Sequence, residues 1–332
     1  MHLYKEPPTL HNFENRVRRV GFEIEFCNVD IEVVAKAIKE IYGADVAKLS
    51  DFYYEVKTDI GTFVVELDLE LLTKNGLKSG LEDISKKVGF KISSENILFV
   101  ERLVAKIGKN IVPYEVVTPP ISFENIDRVD AIVDVLFNLG AHGTDVRAIY
   151  AFGLHINPEV VSLEIDSILD YLRAYVLLQD YLKEEVDVDT TRTLSPFIDD
   201  FKRDYIAYIL HESYNPTKDE FIDDYIEYNP TRNRSLDMLP LLAYLDESKV
   251  RKLLVDQKIH PRPTFHYRLA NSHVSDPSWS VAIEWNRWVV VEKLAHNKSM
   301  LKELSQEYLD HLNATFNLSS YRVKLDRWLG AL

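Results

Sequence analysis

Residues 21–26 read Gly-Phe-Glu-Ile-Glu-Phe, and this stretch decides the fold class. Successive side chains of a β-strand point to opposite faces of a sheet. The three apolar residues therefore lie on one face, and Glu23 and Glu25 lie together on the other. The pattern predicts a strand that buries one face and presents two carboxylates on the opposite face.

Four further segments have strand character and carry polar groups on one face. They are residues 64–72 (Glu66, Asp68 and Glu70), 114–120 (Glu115), 151–157 (His155 and Asn157) and 280–288 (Glu284 and Asn286). Two prolines end the segment 114–120, because proline has no N–H to donate to a β-ladder. For any single strand, a solvated polar face explains such alternation more simply.

Helical periodicity occupies most of the remaining chain. It is clear over residues 31–43, 126–140, 163–250 and from about 288 to the end. Strands followed by helices and one late strand predict an α+β fold with a mostly antiparallel sheet. We expect a single domain over residues 1–332, with a mainly helical insertion at 163–250, although 332 residues would also suffice for two domains.

The composition narrows the function classes. The formal net charge is −14, which disfavours non-specific binding to nucleic acid or to an anionic membrane. The single cysteine, Cys27, cannot form an internal disulfide and is expected in the core. Without a signal-like N-terminus or a membrane-length apolar run, the chain is expected to be cytoplasmic.

Taken together, the acidic strands require a counter-charge. Residues 21–26 and 64–72 contain no basic residue, and like charges on neighbouring strands repel. Several carboxylates with one histidine and no thiolate make an oxygen-rich site that suits Mg²⁺ or Mn²⁺. Because Mg²⁺ in proteins often also binds substrate phosphates, a nucleotide is the expected partner.

The polar motifs form an ordered series along the chain. They are Gly-x-Glu-x-Glu (Gly21, Glu23, Glu25), Glu-x-Asp (Glu66, Asp68), Glu-x-x-Thr-Pro-Pro (Glu115 to Pro120), Gly-x-His-x-Asn (Gly153, His155, Asn157), Tyr-Arg-x-x-Asn (Tyr267, Arg268, Asn271) and a late strand with Glu284. This series resembles that of the putative amidoligase family, in the carboxylate–amine ligase superfamily with glutamine synthetase and glutamate–cysteine ligase. Each motif is weak alone, but their joint order over residues 21–288 is fairly specific.

The resemblance implies a saddle-like sheet of the glutamine-synthetase and guanidino-kinase catalytic type, with helices on one face, that holds ATP and two or more Mg²⁺ ions. The implied ligands are Glu25, Glu66 and Glu115 for one metal, and Glu23, His155 and Glu284 for a second. Asp68 is a further candidate ligand and, with Glu70, a candidate general base. Arg268 would contact phosphate or the substrate carboxylate, and Asn271 would help to bind the nucleotide.

One departure from the family concerns a catalytic arginine. Relatives read Glu-Phe-Arg in the last strand, whereas this chain reads Glu284-Trp-Asn286-Arg287. Period two places Asn286 where the arginine is expected, unless a β-bulge returns Arg287 to the site. Other candidates to bind phosphate lie in two proline-interrupted segments, Arg232 and Arg234 in residues 229–235 and Arg262 and Arg268 in residues 260–268.

The resemblance implies an ATP-dependent ligase that joins a carboxylate to an amine through an acyl phosphate. The carboxylate and the amine can each belong to a small molecule, a peptide or a protein. A phosphotransferase on the same fold is one alternative. A non-catalytic protein that binds partners through its tyrosine-rich insertion is a second, and a metal-dependent hydrolase is a weaker third.

Overall fold

The computed structural model describes residues 3–68, 113–144, 152–186, 199–254, 259–313 and 319–332. The predicted α+β class and antiparallel sheet are confirmed. The strands are β1 (Arg19–Phe26), β2 (Asp45–Ser50), β3 (Tyr53–Thr58), β4 (Gly61–Leu67), β5 (Tyr114–Val117), β6 (Ile121–Ser122) and β7 (Leu154–Pro158). The predicted strand over 64–72 is present as far as Leu67, and Glu70 lies outside the described residues.

The sheet is built outward from β1. On one side β1 pairs with β5 and β6, and β5 continues through β4 and β3 to β2. On its other side β1 pairs with β7. Isolated bridges, among them Glu159↔Thr264 and Gly153↔Asn271, place residues 264–271 along the free edge of β7. A further antiparallel segment therefore flanks the strand that carries His155.

One face of the sheet forms the core. Its central row runs Tyr54, Val65, Val116, Ile24 and Leu154 across five paired strands, and each of these residues is at most 3% exposed. Helix α1 (Ile31–Tyr42) packs against β2, β3 and β4 on the same side. The side chain of Asp30 accepts a hydrogen bond from the N–H of Glu32 at the start of α1, and Gly43 ends the helix at a φ of 60°.

The other helices follow the predicted order. They are a 3₁₀ helix (Phe123–Val129), α2 (Asp130–Asn138), α3 (Ile165–Val186), α4 (Arg203–Leu210), α5 (Lys218–Tyr228), α6 (Leu239–Leu245), α7 (Glu247–Leu253), α8 (Val281–His296), α9 (Lys298–Asn313) and α10 (Ser319–Leu329). Tyrosines of the insertion, including Tyr175, Tyr205 and Tyr225 at 0% exposure, pack its core. Among the described helices, none is both long and apolar enough to cross a membrane.

The strand predicted over residues 280–288 is wrong. These residues begin helix α8, in which Val281, Ala282 and Trp285 are buried. A strand and a helix cannot be distinguished from a short apolar run alone. The helix is long, and α3 and α9 pack against it, so the tertiary context decides its conformation.

A buried ion pair joins this helix to the start of β1. The guanidinium of Arg18 donates two hydrogen bonds to the carboxylate of Glu292, at 2.7 and 2.8 Å, and these residues are 4% and 0% exposed. Trp288 Nε1 donates a third hydrogen bond to Glu292 at 2.8 Å. Removal of one charge from such a pair leaves the other charge buried without compensation.

We expect Glu292→Gln to lower the free energy of unfolding by about 3 kcal/mol or more, because Arg18 would remain charged and buried. Urea denaturation measures this change. Glu247→Gln is the matched control, since Glu247 pairs with Arg251 at 2.7 Å on an exposed helix surface. Its loss should be below about 0.5 kcal/mol, and an equal loss in the two variants would contradict the prediction.

Candidate functional site

The polar face of the sheet carries a row of carboxylates in direct register. Glu66 of β4 is paired with Glu115 of β5, and Glu115 is paired with Glu25 of β1. Glu25 is 4% exposed, and its Oε2 accepts a hydrogen bond from the N–H of Gly153 at 2.5 Å. Glu25 is therefore buried, whereas Glu66 and Glu115 are partly exposed.

Ionisation of Glu66 and Glu115 is unfavourable within this row of carboxylates. Burial, followed by the charges of Asp68 and Glu23, raises the pKa of Glu66 to about 7. Burial and the neighbouring carboxylates, Asp68 first among them, raise the pKa of Glu115 well above its usual range. These carboxylates repel one another when they are ionised, and a bound cation relieves that repulsion.

Glu23 and His155 form a second group on the same face. The two residues are paired between β1 and β7, and His155 Nδ1 lies 2.8 Å from Glu23 Oε2. His155 Nε2 lies 3.4 Å from Glu25 Oε1, so the imidazole contacts both glutamates of β1. Asn157 Nδ2 donates a hydrogen bond to Glu23 Oε1 at 2.9 Å. Burial alone would raise the pKa of Glu23, but the hydrogen bond with His155 and nearby positive charge hold this pKa well below its usual range.

His266 joins this second group, although the sequence analysis did not identify it. Its Nε2 lies 3.8 Å from Glu23 Oε2, and its ring centroid lies 5.1 Å from that of His155. Ligand atoms of Glu23, His155 and His266 all lie within 4.8 Å of one another. On the other side of the ring, His266 Nδ1 lies 3.3 Å from the carboxylate of Asp237. Burial lowers the pKa of His266 to about 3, so the ring is neutral at neutral pH.

A change of register in the segment 264–271 helps to explain why His266 was missed. Ile156 follows Gly153 by three positions, whereas their bridge partners, Tyr267 and Asn271, are four positions apart. The segment thus carries one extra residue, as in a β-bulge. In the sequence, the only indication of His266 was the run His-Tyr-Arg at residues 266–268. The prolines at the start of this segment and its lack of period-two alternation did not predict a strand there.

Three predicted arginines surround this second group. Arg262 Nη2 lies 3.0 Å from Asn157 Oδ1 and 3.7 Å from Glu23 Oε1. Arg232 Nε lies 3.5 Å from the carboxylate of Asp237, and Arg268 Nη1 donates to the carbonyl oxygen of Arg232 at 2.8 Å. The Arg262 side chain is 33% exposed, whereas Arg232 is 14% exposed, so Arg262 is the more accessible to an anionic ligand.

Two other predicted nucleotide-binding residues have structural contacts. Arg234 is 5% exposed, donates to Asn229 Oδ1 at 2.8 Å and stacks over Phe201. Asn271 is 1% exposed, and its Nδ2 donates to the carbonyl oxygen of Val186 at 3.2 Å. These contacts hold the insertion together and give no reason to assign either side chain to a ligand.

The structure also changes the interpretation of Glu284 and Arg287. Because residues 281–296 are helical, residues three apart share a face. Arg287 Nη1 lies 2.6 Å from Glu284 Oε1, whereas Asn286 bonds the backbone of Leu3 and Lys5 in the N-terminal arm. Glu284 was predicted as a metal ligand on a strand, but it lies on a helix. Among the described residues, the side chains that could together hold a metal ion are Glu23, His155 and His266.

By donor type, two sets of side chains suit divalent cations, and among the described residues Glu23, His155 and His266 are the set whose ligand atoms all lie within 4.8 Å of one another. Glu25, Glu66 and Glu115, with Asp68 following β4, supply only oxygen atoms, which suits Mg²⁺. Glu23, His155 and His266 supply one carboxylate and two imidazoles. The raised pKa values of Glu66 and Glu115 follow from the same crowding of carboxylates, which positive charge would relieve.

Comparison with known proteins identifies one family. A family model described as putative amidoligase enzyme matches residues 16–290. This range contains every carboxylate, histidine and arginine of the candidate site described in this subsection. No curated protein and no solved structure matches the chain.

In the metal-free protein, we expect Glu66→Gln to increase the free energy of unfolding at pH 8 by roughly 1–3 kcal/mol. The pKa of Glu66 is raised to about 7 on folding. Its ionisation therefore costs the folded state nothing below pH ~4.5, and the cost develops as the pH rises through ~7. The gain should vanish at pH 4.

Urea denaturation in the presence of a chelator, at pH 4 and pH 8, measures the effect. Glu40→Gln, on the exposed side of α1, is the control and should change the free energy of unfolding by less than about 0.5 kcal/mol at each pH. A Glu66→Gln variant that is less stable than wild type at pH 8 would show that the carboxylate row is not strained.

Proposed function

The chain belongs to the putative amidoligase family, and on that premise we propose that it is an ATP- and Mg²⁺-dependent ligase that joins a carboxylate to an amine. The observation that carries the proposal is the register of Glu66, Glu115 and Glu25 across three strands, beside Glu23 and His155. A bound cation would relieve the repulsion within this row, and Arg262 lies beside Glu23. A nucleotide with its phosphates between the cations and the arginines fits this distribution of charge.

The reaction we propose has two steps. An oxygen of the substrate carboxylate attacks the γ-phosphorus of ATP, the bond to the β–γ bridging oxygen breaks, and ADP leaves. The nitrogen of the amine then attacks the carbonyl carbon of the acyl phosphate, loses a proton and expels inorganic phosphate. The product is an amide or isopeptide bond.

The side chains of the polar face have separate roles in this proposal. Glu25, Glu66 and Glu115 hold one cation, and Asp68 assists them. Glu23 and His155 hold a second cation nearer to the phosphates. Bound Mg²⁺ would neutralise the charge that develops on the phosphate oxygens. Asp68 lies on the face of Glu66 and is the candidate to accept the amine proton.

Arginine side chains supply the remaining positive charge. Arg262 is partly exposed and lies 3.7 Å from Glu23, so its guanidinium can reach a γ-phosphate placed over this group. Arg268 is 7% exposed and lies deeper, where it fixes the loop through the carbonyl oxygen of Arg232. We therefore assign phosphate binding first to Arg262, and we propose that the sheet has the glutamine-synthetase type of catalytic fold.

We expect ATP to bind in calorimetric titrations only when Mg²⁺ is present. Glu25→Gln and Glu66→Gln should each weaken Mg²⁺-ATP binding by about tenfold or more, which corresponds to at least ~1.4 kcal/mol. Glu40→Gln leaves the polar face intact and should bind like wild type. Equal affinity in the wild type and in both row variants would exclude the proposed nucleotide site.

We also expect Arg262→Gln to lower the rate of ADP formation by roughly 10²–10³-fold, as loss of one donor to a transferring group does in other enzymes. The readout is coupled detection of ADP with a panel of carboxylates and amines. Arg251→Gln is the matched control, because Arg251 lies on the exposed surface of α7 and pairs with Glu247. ADP formation that needs no amine would instead indicate a phosphotransferase.

A further inference from the structure

His266 is a buried imidazole with one unused nitrogen. The residue is 2% exposed, and within the described residues its Nε2 makes no hydrogen bond. Glu23 Oε2 lies 3.8 Å from Nε2, which is too long for a hydrogen bond. A buried polar atom without a partner costs free energy, so its presence calls for a ligand at that position.

The surrounding atoms have the spacing of a metal site. Glu23 Oε2 lies 2.8 Å from His155 Nδ1 and 3.8 Å from His266 Nε2. Metal–ligand bonds of about 2.1 Å place neighbouring ligand atoms about 3.0–3.4 Å apart. These two distances lie on either side of this range, and the ligand atoms of the three residues lie within 4.8 Å of one another.

We propose that Glu23, His155 and His266 form a two-histidine, one-carboxylate site that takes a divalent transition metal, of the Mn²⁺ class, in preference to Mg²⁺. Imidazole nitrogens favour transition metals, whereas Mg²⁺ favours oxygen ligands and bound water. With only three protein ligands, such an ion would have coordination positions left for phosphate or substrate oxygens. The inference rests on the proposed function, because it assigns the metal of the second cation site, but its test requires neither ATP nor substrate.

Asp237 is the positioning residue for this site. It is 0% exposed, and its Oδ1 accepts a hydrogen bond from the N–H of Leu239 at 3.0 Å. Its Oδ2 lies 3.3 Å from His266 Nδ1. A carboxylate can only accept a hydrogen bond, so Nδ1 carries the ring proton and Nε2 keeps its lone pair toward Glu23. A carboxylate behind a metal-binding histidine fixes its tautomer and orientation in this way.

The backbone explains how these residues meet. Glu23 and His155 are paired between β1 and β7, and His266 lies in the segment that flanks the other edge of β7. Asp237 approaches from the start of α6, beyond the sheet, where Asp237 N donates to the carbonyl oxygen of His266 at 2.9 Å. The insertion therefore contributes directly to the geometry of the site.

The experiment is a titration of the chelator-treated, full-length chain with Mn²⁺, followed by pulsed electron paramagnetic resonance and calorimetry. We expect bound Mn²⁺ with hyperfine coupling to imidazole nitrogen, at a site that holds Mn²⁺ at least about tenfold more tightly than Mg²⁺. Asp237→Asn should lower the affinity for Mn²⁺ by about 10–100-fold, and His266→Gln by at least as much. Both should reduce the Mn²⁺/Mg²⁺ affinity ratio, which a general loss of stability would not do.

His211→Gln is the matched control. His211 is exposed, its ring contacts Ser213, and its hydrogen bonds within the described residues involve none of Glu23, His155 and His266. It should bind Mn²⁺ like wild type. Bound Mn²⁺ without nitrogen coupling in the wild type, or no Mn²⁺ binding, would overturn the inference even if a variant fails to fold. Nitrogen-coupled Mn²⁺ without ATP binding would contradict the ligase proposal only, whereas ATP binding without nitrogen coupling would contradict this inference only.

Discussion

Antiparallel pairing of β1 with β5 on one side and β7 on the other fixes the position of nearly every group at the site. The registers Glu25↔Glu115 and Glu23↔His155 bring groups from three distant parts of the chain side by side. A slip of one residue would turn Glu23 and Glu25 into the apolar core and expose Phe22 and Ile24, which are 0% exposed. Burial of the apolar row thus selects the register, and the register assembles the carboxylates.

The carboxylates of this row repel one another when they are ionised. Glu66 and Glu115 have raised pKa values because burial and neighbouring carboxylates disfavour their ionised forms. The core and the buried pair of Arg18 with Glu292 stabilise the fold elsewhere and allow the row to persist. A cation would convert the repulsion into binding energy, which is the physical link between the fold and the proposed reaction.

The second group differs from the first in chemistry and in origin. Its ligand atoms include two imidazoles, and one of these is held from behind by Asp237 of the helical insertion. The arginines Arg232, Arg262 and Arg268 come from the insertion or from the segment that follows it. The sheet therefore supplies the carboxylates, and the insertion and its flanks supply most of the positive charge and the orientation of His266.

The amino-acid sequence by itself determined the face of each strand. Period-two alternation identified Glu23, Glu25, Glu66 and Glu115 as one polar surface, and it identified the apolar face opposite them, because side-chain direction in a strand depends only on local geometry. It also indicated the family and the helical character of residues 163–250. These features are local or depend on the order of motifs.

Tertiary structure alone decided the conformation of residues 281–296 and the partners of His266. The apolar run around Glu284 is compatible with either a strand or a helix, and packing against α3 and α9 selects the helix. His266 reaches Glu23 through an irregular segment with one extra residue, and Asp237 reaches His266 from the start of another helix. Such contacts depend on long-range docking of separate elements, for which local periodicity carries no information.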